Sequence, residues 1–271
     1  MRYIKLAFQY MGSKHYWKLA LMVLVPSIVI SIFNSFGTTA DYIVHFFDYD
    51  TYDFASVHSR TSELTWWSAL ILIGVCLVLA ILLSVYIGTM QRHMRTGRFA
   101  ITNIFKRINE HFLPSVFTIA TIFVMVYLYG LGMTISVTLW YLITKNATAT
   151  FALTIVSMVL LFLAMIYIIC IFSMVTPHIV VTGSRFKDAV LHSLHVTHDN
   201  IGRLYLAFAL PVVLLLAFQF AFVWCNIRIV HIVIDSLTML FIGCYYPVLI
   251  FVAYYDINDK DREDLLPVNK L

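Results

Sequence analysis

The sequence predicts an all-α membrane protein with six transmembrane helices in three hairpins, each preceded by an amphipathic helix on the cytoplasmic membrane surface. Three observations support this fold class. The composition is 61% hydrophobic and 12% charged, with a mean hydropathy of +0.88, which is far from that of soluble domains. Apolar runs of about 20 residues, the length that crosses a bilayer, recur along the chain. The polar segments between them include stretches with the apolar period of a helix.

The first predicted unit covers residues 1–88. An amphipathic helix at residues 3–15 precedes the first span, residues 17–36, which is long enough to cross the hydrocarbon core. Residues 37–65 are polar and acidic, and we expect them to form a loop on the outer side. The second span runs over residues 66–88 and begins with Trp66 and Trp67, a pair typical of a membrane interface.

The second predicted unit covers residues 89–175. Its basic first part contains an amphipathic helix at residues 99–112. Two long apolar runs follow, at residues 114–143 and 151–175. Only residues 144–150 separate them, so we expect these two spans to form a tight hairpin.

The third predicted unit, residues 176–255, opens with a segment that is too polar to cross a bilayer and holds four of the ten histidines. Its residues 186–201 form an amphipathic helix in projection. The apolar face consists of Phe186, Val190, Leu194, Thr197 and Ile201, and the opposite face of Asp188, His192, His195 and Asp199. Spans at residues 204–224 and 229–255 complete the single membrane domain. A charged tail, residues 256–271, is predicted to be mobile.

The distribution of positive charge predicts the orientation. Fifteen of the 18 Lys and Arg residues lie in the N-terminal segment, the two amphipathic segments and the tail, and three lie on the other side. By the positive-inside rule, both termini are cytoplasmic. The basic residues are spread over several short segments, so they favour membrane orientation over nucleic-acid binding.

The order of elements also indicates an internal repeat. The second and third units share TGRF at residues 96–99 and TGSRF at residues 182–186. In the third unit, Pro177, a basic loop, the run from Asp188 to Leu194, and Asn200 before a span resemble the YciC-like bacterial membrane proteins. The pattern is similar, too, to the membrane domain fused to some glycerophosphodiester phosphodiesterases. The resemblance implies a six-helix module in a bacterial inner membrane, without the phosphodiesterase domain, because no soluble stretch is long enough to form one.

Basic residues near the amphipathic helices are the candidates for contact with lipid headgroups or with a membrane protein partner. Positive charge at the membrane surface attracts anionic lipid by roughly 1 kcal/mol per residue. The alternative is that these charges only set the topology, and both can hold. The candidates are Arg92, Arg95, Arg98, Lys106, Arg107, Arg185 and Lys187.

A second candidate site is a polar cluster inside the membrane. Asp235 lies within a predicted span, where a carboxylate costs a few kcal/mol unless it is paired or functional. Arg228 and His231 are near the same helical face, and Gln219 is in the preceding span. The alternative is an interfacial ion pair, if the helix begins closer to Asp235.

A metal site is weakly indicated by His192 and His195, which share a face with Asp188 and Asp199. A hydrated helix face near headgroups would use the same residues, so the sequence predicts no metal and no cofactor. The four cysteines fall in or beside apolar runs without CxxC spacing, and we interpret them as small hydrophobic residues.

Together these features predict a non-enzymatic integral membrane protein that organises membrane or serves as an accessory or assembly subunit. The alternative is a small transporter or channel with a polar path near Asp235. A third hypothesis is a lipid enzyme that works through the His192 and His195 face.

Overall fold

The computed structural model describes residues 2–13, 16–33, 46–48, 51–61, 66–98, 103–222, 228–262 and 264. Every regular element in these ranges is helical, as predicted. The α-helices are α1 (Arg2–Met11), α2 (Tyr16–Phe33), α3 (Phe54–Thr61), α4 (Trp66–Thr96), α5 (Ile104–Thr144), α6 (Ala147–Ser173), α7 (Val175–Thr182), α8 (Phe186–Phe222) and α9 (Arg228–Ile257). A short 3-10 helix, Phe46–Asp48, precedes α3.

Four described segments are long and apolar enough to cross a membrane. They are Ile73–Thr96, Ile104–Thr144, Ala147–Thr182 and Ile229–Ile257. The predicted span at residues 17–36 corresponds to α2, whose apolar part, Tyr16–Ile28, is shorter. The predicted span at residues 204–224 is the second half of α8, and its last residues lie outside the described part of the chain. The structure thus supports a helical membrane protein with four candidate spans.

Two of the three amphipathic helices are not separate elements, which differs from the prediction. The helix expected at residues 99–112 is the start of α5, which continues through Pro114. Likewise, the helix expected at residues 186–201 runs on into the following apolar run as α8. A continuous helix satisfies the backbone groups at the membrane boundary internally, whereas a break would expose them. The first amphipathic helix, α1, is separate and ends before Gly12 and Ser13.

The hairpin of α5 and α6 has the short connection that the sequence predicts. Lys145 ends α5 in the left-handed conformation, and its N–H donates to the Tyr141 carbonyl. Asn146 then caps α6, because its side chain accepts from the N–H groups of Thr148 and Ala149. The two helices pack against each other along their length.

The other principal pairings are not the predicted hairpins. Helix α2 packs mainly against α9, and α4 packs mainly against α5. The contacts of α2 with α4 and of α8 with α9 are less extensive. Gly243 permits the α2–α9 approach, since a Cβ atom there would lie 2.5 Å from Cγ1 of Val23. The bundle is therefore completed by contacts between helices that are distant in sequence.

A bend separates α6 from α7 and is held by α8. Pro177 cannot donate a backbone hydrogen bond, and the chain turns at Met174. The Ser193 hydroxyl of α8 donates to the Ile171 carbonyl at 2.5 Å, and the Thr197 hydroxyl donates to the Cys170 carbonyl at 3.5 Å. These bonds attach α8 to the end of α6, next to the bend.

One end of the bundle brings together most of the segments predicted to be cytoplasmic, and we call it the basic end. It consists of α1, the end of α4, the start of α5, α7, the start of α8 and the end of α9. At this end, the Tyr10 hydroxyl lies 3.0 Å from Nδ1 of His93. The Gln91 side-chain amide donates to the Val180 carbonyl at 2.9 Å, and Arg2 forms an ion pair with Asp256 at 2.5 Å.

The described part of the tail, residues 258–262 and 264, contacts α1. Arg262 forms a buried ion pair with Asp264 at 2.7 Å, and its guanidinium lies over the Tyr10 ring of α1. This cation–π contact, together with the pair between Arg2 and Asp256, holds the end of α9 and the described tail residues against α1.

The opposite end carries part of the predicted outer loop. Phe46 and Tyr52 pack on Phe151 of α6 and Tyr141 of α5, respectively, with ring centroids 5.1 and 4.7 Å apart. Asp53 caps α3, and hydrogen bonds from Ser56 and Thr51 lower the pKa of its carboxyl to about 2. This small aromatic cluster covers the end of α5 and the start of α6, opposite the basic end.

We predict that Gly243→Leu destabilises the protein, whereas Gly74→Leu does not. Forcing a side chain into the α2–α9 contact costs about 1–3 kcal/mol. Gly74 of α4 is the matched control, because no atom lies within 4 Å of the position that a Cβ atom would occupy there. Thermal unfolding in one detergent or nanodisc preparation measures both. Equal melting temperatures for the two variants would contradict the close approach of α2 and α9.

Candidate functional site at the basic end

The predicted headgroup contacts divide into exposed and buried residues. The end of α4 exposes Arg92 and Arg95, and Arg98 is exposed two residues after the helix ends. Arg185 and Lys187 are exposed at the start of α8. The Lys106 side chain is 71% exposed and lies 3.8 Å from Glu110, a pairing worth little at such exposure. These positions are accessible to a charged surface.

Arg107 differs from its predicted role, because it is only 6% exposed. Its guanidinium donates a hydrogen bond to the Thr89 hydroxyl across the α4–α5 contact. His111 and Ser115 follow on the same stripe of α5 and are also buried. Gly88 makes room for this stripe, since a Cβ atom there would lie 2.7 Å from Cδ2 of His111. Arg107 therefore belongs to a polar seam between two helices.

Large apolar side chains surround the exposed cations. Phe105 is 88% exposed, directly before Lys106, and Leu113 is exposed two turns later. Phe186 of α8 lies beside Phe117 of α5, with centroids 4.8 Å apart. The starts of α5 and α8 thus each combine positive charge with exposed apolar area.

The buried face of α8 overlaps only in part with the apolar face that projection indicated, since it includes Thr197 but neither Phe186 nor Leu194. Ala189, Ser193 and Thr197 face inward, whereas Phe186 and Leu194 are exposed. Small residues allow α8 to pack closely on the α6–α7 bend. The hydroxyl groups of Ser193 and Thr197 donate hydrogen bonds to backbone carbonyls of α6 beside it. The larger apolar residues remain at the surface of the described structure.

Histidine 192 pairs with His178, which the sequence analysis did not select. The two imidazole rings are stacked with centroids 4.0 Å apart and planes at 27°. His195 and Asp199 are exposed on the other side of α8. Among the described residues, no group of three or more His, Cys, Asp and Glu side chains could hold a metal ion.

The stacked histidines lie in a mixed aromatic and cationic environment. Nδ1 of His178 is 3.1 Å from the Tyr254 hydroxyl, and the Lys260 ammonium is 5.3 Å from the centroid of the Tyr254 ring. Burial lowers the pKa of His192, and Lys260 adds to this effect, while Asn258 opposes it through hydrogen bonding. We call His178, His192, Tyr254 and Lys260 the histidine joint.

Sequence reasoning missed the contact between His178 and Tyr254 because the two residues are 76 positions apart and Tyr254 lies in an apolar run. A single signal was available, namely a histidine one residue after Pro177. Proline interrupts hydrogen bonding in a helix, so polar neighbours near it often serve the tertiary structure.

The intramembrane polar cluster is only partly described. Asp235 is 5% exposed within α9, and Thr238 is buried one turn later. His231 is half-buried one turn before Asp235. The side chains of Gln219 and Arg228 lie outside the described part of the structure, so the full predicted cluster is not tested.

No protein-family model, curated protein or solved structure matches this chain. The YciC-like resemblance therefore stays a prediction.

We predict that Thr89→Val lowers the free energy of unfolding by about 1.5–3 kcal/mol, because a hydrogen bond to a charged group is lost. Thr96→Val on the same helix is the control. Both hydroxyl groups donate to the carbonyl four residues earlier. Thr89 also accepts from the Arg107 guanidinium, whereas Thr96 accepts only a 3.4 Å bond from the Arg98 backbone N–H among the described contacts. Thermal or denaturant unfolding measures the difference, and equal stability of the two variants would argue against the Arg107 contact.

Proposed function

We propose that the protein is a non-enzymatic accessory protein of the membrane whose basic end engages anionic lipid headgroups. The supporting observation is the placement of exposed Phe105 beside exposed Lys106, with Arg98 nearby in sequence. An aromatic ring can enter the headgroup zone while the neighbouring cations meet phosphate oxygens.

The contact between Phe117 and Phe186 places a second such surface, at the start of α8, beside α5. It adds Arg185 and Lys187 together with the exposed Leu191 and Leu194. Apolar side chains of this size, exposed next to cations, are typical of a membrane-binding surface. The same surface could also receive the acidic juxtamembrane part of a membrane protein, but its apolar rim favours lipid.

The orientation follows from the charge count. With the basic end in the cytoplasm, both termini are cytoplasmic and the aromatic cluster around Tyr52 is outside. In this proposal α2 and the second half of α8 complete six spans, which is the module that the YciC-like resemblance implies.

We predict that neutralising the exposed cations removes a preference for anionic lipid. The variant carries Arg98→Gln, Lys106→Gln, Arg185→Gln and Lys187→Gln. The wild type should unfold several degrees higher in anionic than in zwitterionic nanodiscs, and the variant should lose most of that difference. Each surface cation contributes about 1 kcal/mol, and each kcal/mol shifts Tm by about 2–4 °C in chains of this size.

The control is Lys145→Asn, which removes an exposed cation at the opposite end. Asn tolerates the left-handed backbone of that position, so the turn should be preserved. This variant should keep the wild-type difference between the two lipids. A fourfold variant that also keeps it would refute headgroup engagement by these residues.

Asp235 favours a second candidate function, a small transporter or channel. A carboxylate that is nine-tenths buried in a candidate span requires a pairing or a functional role. Buried Ser27 and Ser31 lie on α2, the helix that packs on α9, and they donate hydrogen bonds to carbonyls of their own helix. Polar groups are thus available near the same helix contact.

If this second function holds, Asp235→Asn should abolish ion flux while leaving the fold intact. The measurement is proton flux into proteoliposomes under an imposed pH gradient, relative to protein-free vesicles. Asp261→Asn, in the exposed tail, is the control and should behave like the wild type. Flux that is unchanged in Asp235→Asn, or absent from the wild type, would exclude this function.

A further inference from the structure

The histidine joint lies where three segments of the basic end meet. His178 belongs to α7, His192 to α8 and Tyr254 to the end of α9. The rings of His178 and His192 are stacked at 4.0 Å, and Tyr254 contacts both at its edge. Contact between α7 and the start of α8 therefore depends in part on two groups that can gain charge.

The turn between α7 and α8 permits movement. Gly183 ends α7 at φ 69°, a left-handed conformation that glycine adopts without strain. No side chain packs within 4 Å of its Cβ position. Further along α8, the hydroxyl groups of Ser193 and Thr197 hold the helix on α6 and do not titrate near neutral pH. Movement would therefore be confined to residues between Gly183 and about Ser193.

The charged groups around the stack mostly oppose protonation. Burial, Lys260 and His195 act against a positive charge on the His192 ring, whereas a hydrogen bond with Asn258 favours that charge. Asp188 is a carboxylate that interacts with His178. Asp188 is itself exposed, and Nε2 of His192 is buried without a hydrogen-bond partner among the described residues. A proton added at Nε2 would have at most the Asn258 amide as an acceptor, so protonation favours a movement of the ring toward solvent.

We infer that the stacked His178 and His192 form an acid-sensitive joint, which holds the start of α8 against α7 and α9 when neutral and releases it when protonated. This inference rests on the proposed function for its consequence. Release would free Arg185 and Lys187 to approach anionic headgroups, together with the exposed ring of Phe186. Acid would thus strengthen membrane engagement by this end.

The direction of the pH effect follows from the lowered pKa of His192. The folded, stacked state favours the neutral ring, so the stack contributes its full stability above the ordinary histidine pKa of about 6.5. That contribution is lost as the pH falls below this value, because the open state binds more protons. We expect the joint to be closed at pH 7.5 and largely open at pH 5.

Hydrogen exchange followed by mass spectrometry tests the joint in zwitterionic nanodiscs, which exclude the attraction of anionic lipid. After correction for the intrinsic pH dependence of exchange, residues 184–192 should lose protection severalfold between pH 7.5 and pH 5, because the closed joint favours the neutral His192 ring. Residues 193–201 should change much less, because their hydroxyl bonds persist. Unchanged protection of residues 184–192 in the wild type would overturn the inference.

The key variant is His192→Phe, which keeps an aromatic ring in the stack and cannot be protonated. It should remain protected at pH 5. His195→Phe is the matched control, one turn along on the exposed side of α8, and should open like the wild type. His178→Phe gives the same expectation as His192→Phe and replaces it if that variant is poorly folded. If both stack variants lose as much protection at pH 5 as the wild type does, the proposed role of the two histidines is refuted.

The proposed function is separated from the joint by repeating the exchange in the fourfold Gln variant. An acid-induced opening that persists there, without any preference for anionic lipid in the wild type, would support the joint and refute headgroup engagement. Conversely, a lipid preference with pH-independent exchange would support headgroup engagement and refute the joint.

Discussion

The carbonyl oxygen of Cys244 accepts hydrogen bonds from the hydroxyl groups of Tyr16 and Tyr86, at 3.0 and 3.3 Å, and this shared acceptor ties α2, α4 and α9 together. The two hydroxyl groups are also 3.0 Å from each other. In a nonpolar interior an unsatisfied hydroxyl costs several kcal/mol, so few alternative arrangements of these helices are acceptable. Tyr10 and His93 pack at the edge of this network, which positions α1.

The same requirement explains how the histidine joint is formed. The bend at Pro177 interrupts the helical hydrogen bonding of α6 and α7, and α8 supplies hydroxyl donors to the carbonyls beside it. These bonds fix the position of α8 along the axis of α6. As a consequence the ring of His192 stacks on that of His178, whose Nδ1 lies 3.1 Å from the Tyr254 hydroxyl. A contact between titratable groups therefore results from satisfying backbone groups several residues away.

The two ends of the molecule differ in chemistry, and this difference connects the fold with the proposed function. The basic end presents exposed cationic side chains beside apolar residues such as Phe105. The opposite end presents an aromatic cluster and the ionised carboxylate of Asp53. Such asymmetry is the pattern that both membrane insertion and selective attraction of anionic lipid require. Arg107, by contrast, stabilises the α4–α5 contact and is not available to lipid.

The sequence by itself determined the helical class, the membrane character and the tight turn at Lys145 and Asn146, because these depend on composition and on local backbone preferences. It also predicted which segments share an end, since charge follows the sides of a membrane. Only the tertiary structure decided the pairing of α2 with α9, the continuity of α5 and α8, the burial of Arg107 and the stacking of His178 on His192. These features depend on close packing and hydrogen-bond partners that are distant in the chain, and the periodicity of a single helix carries no information about its partner.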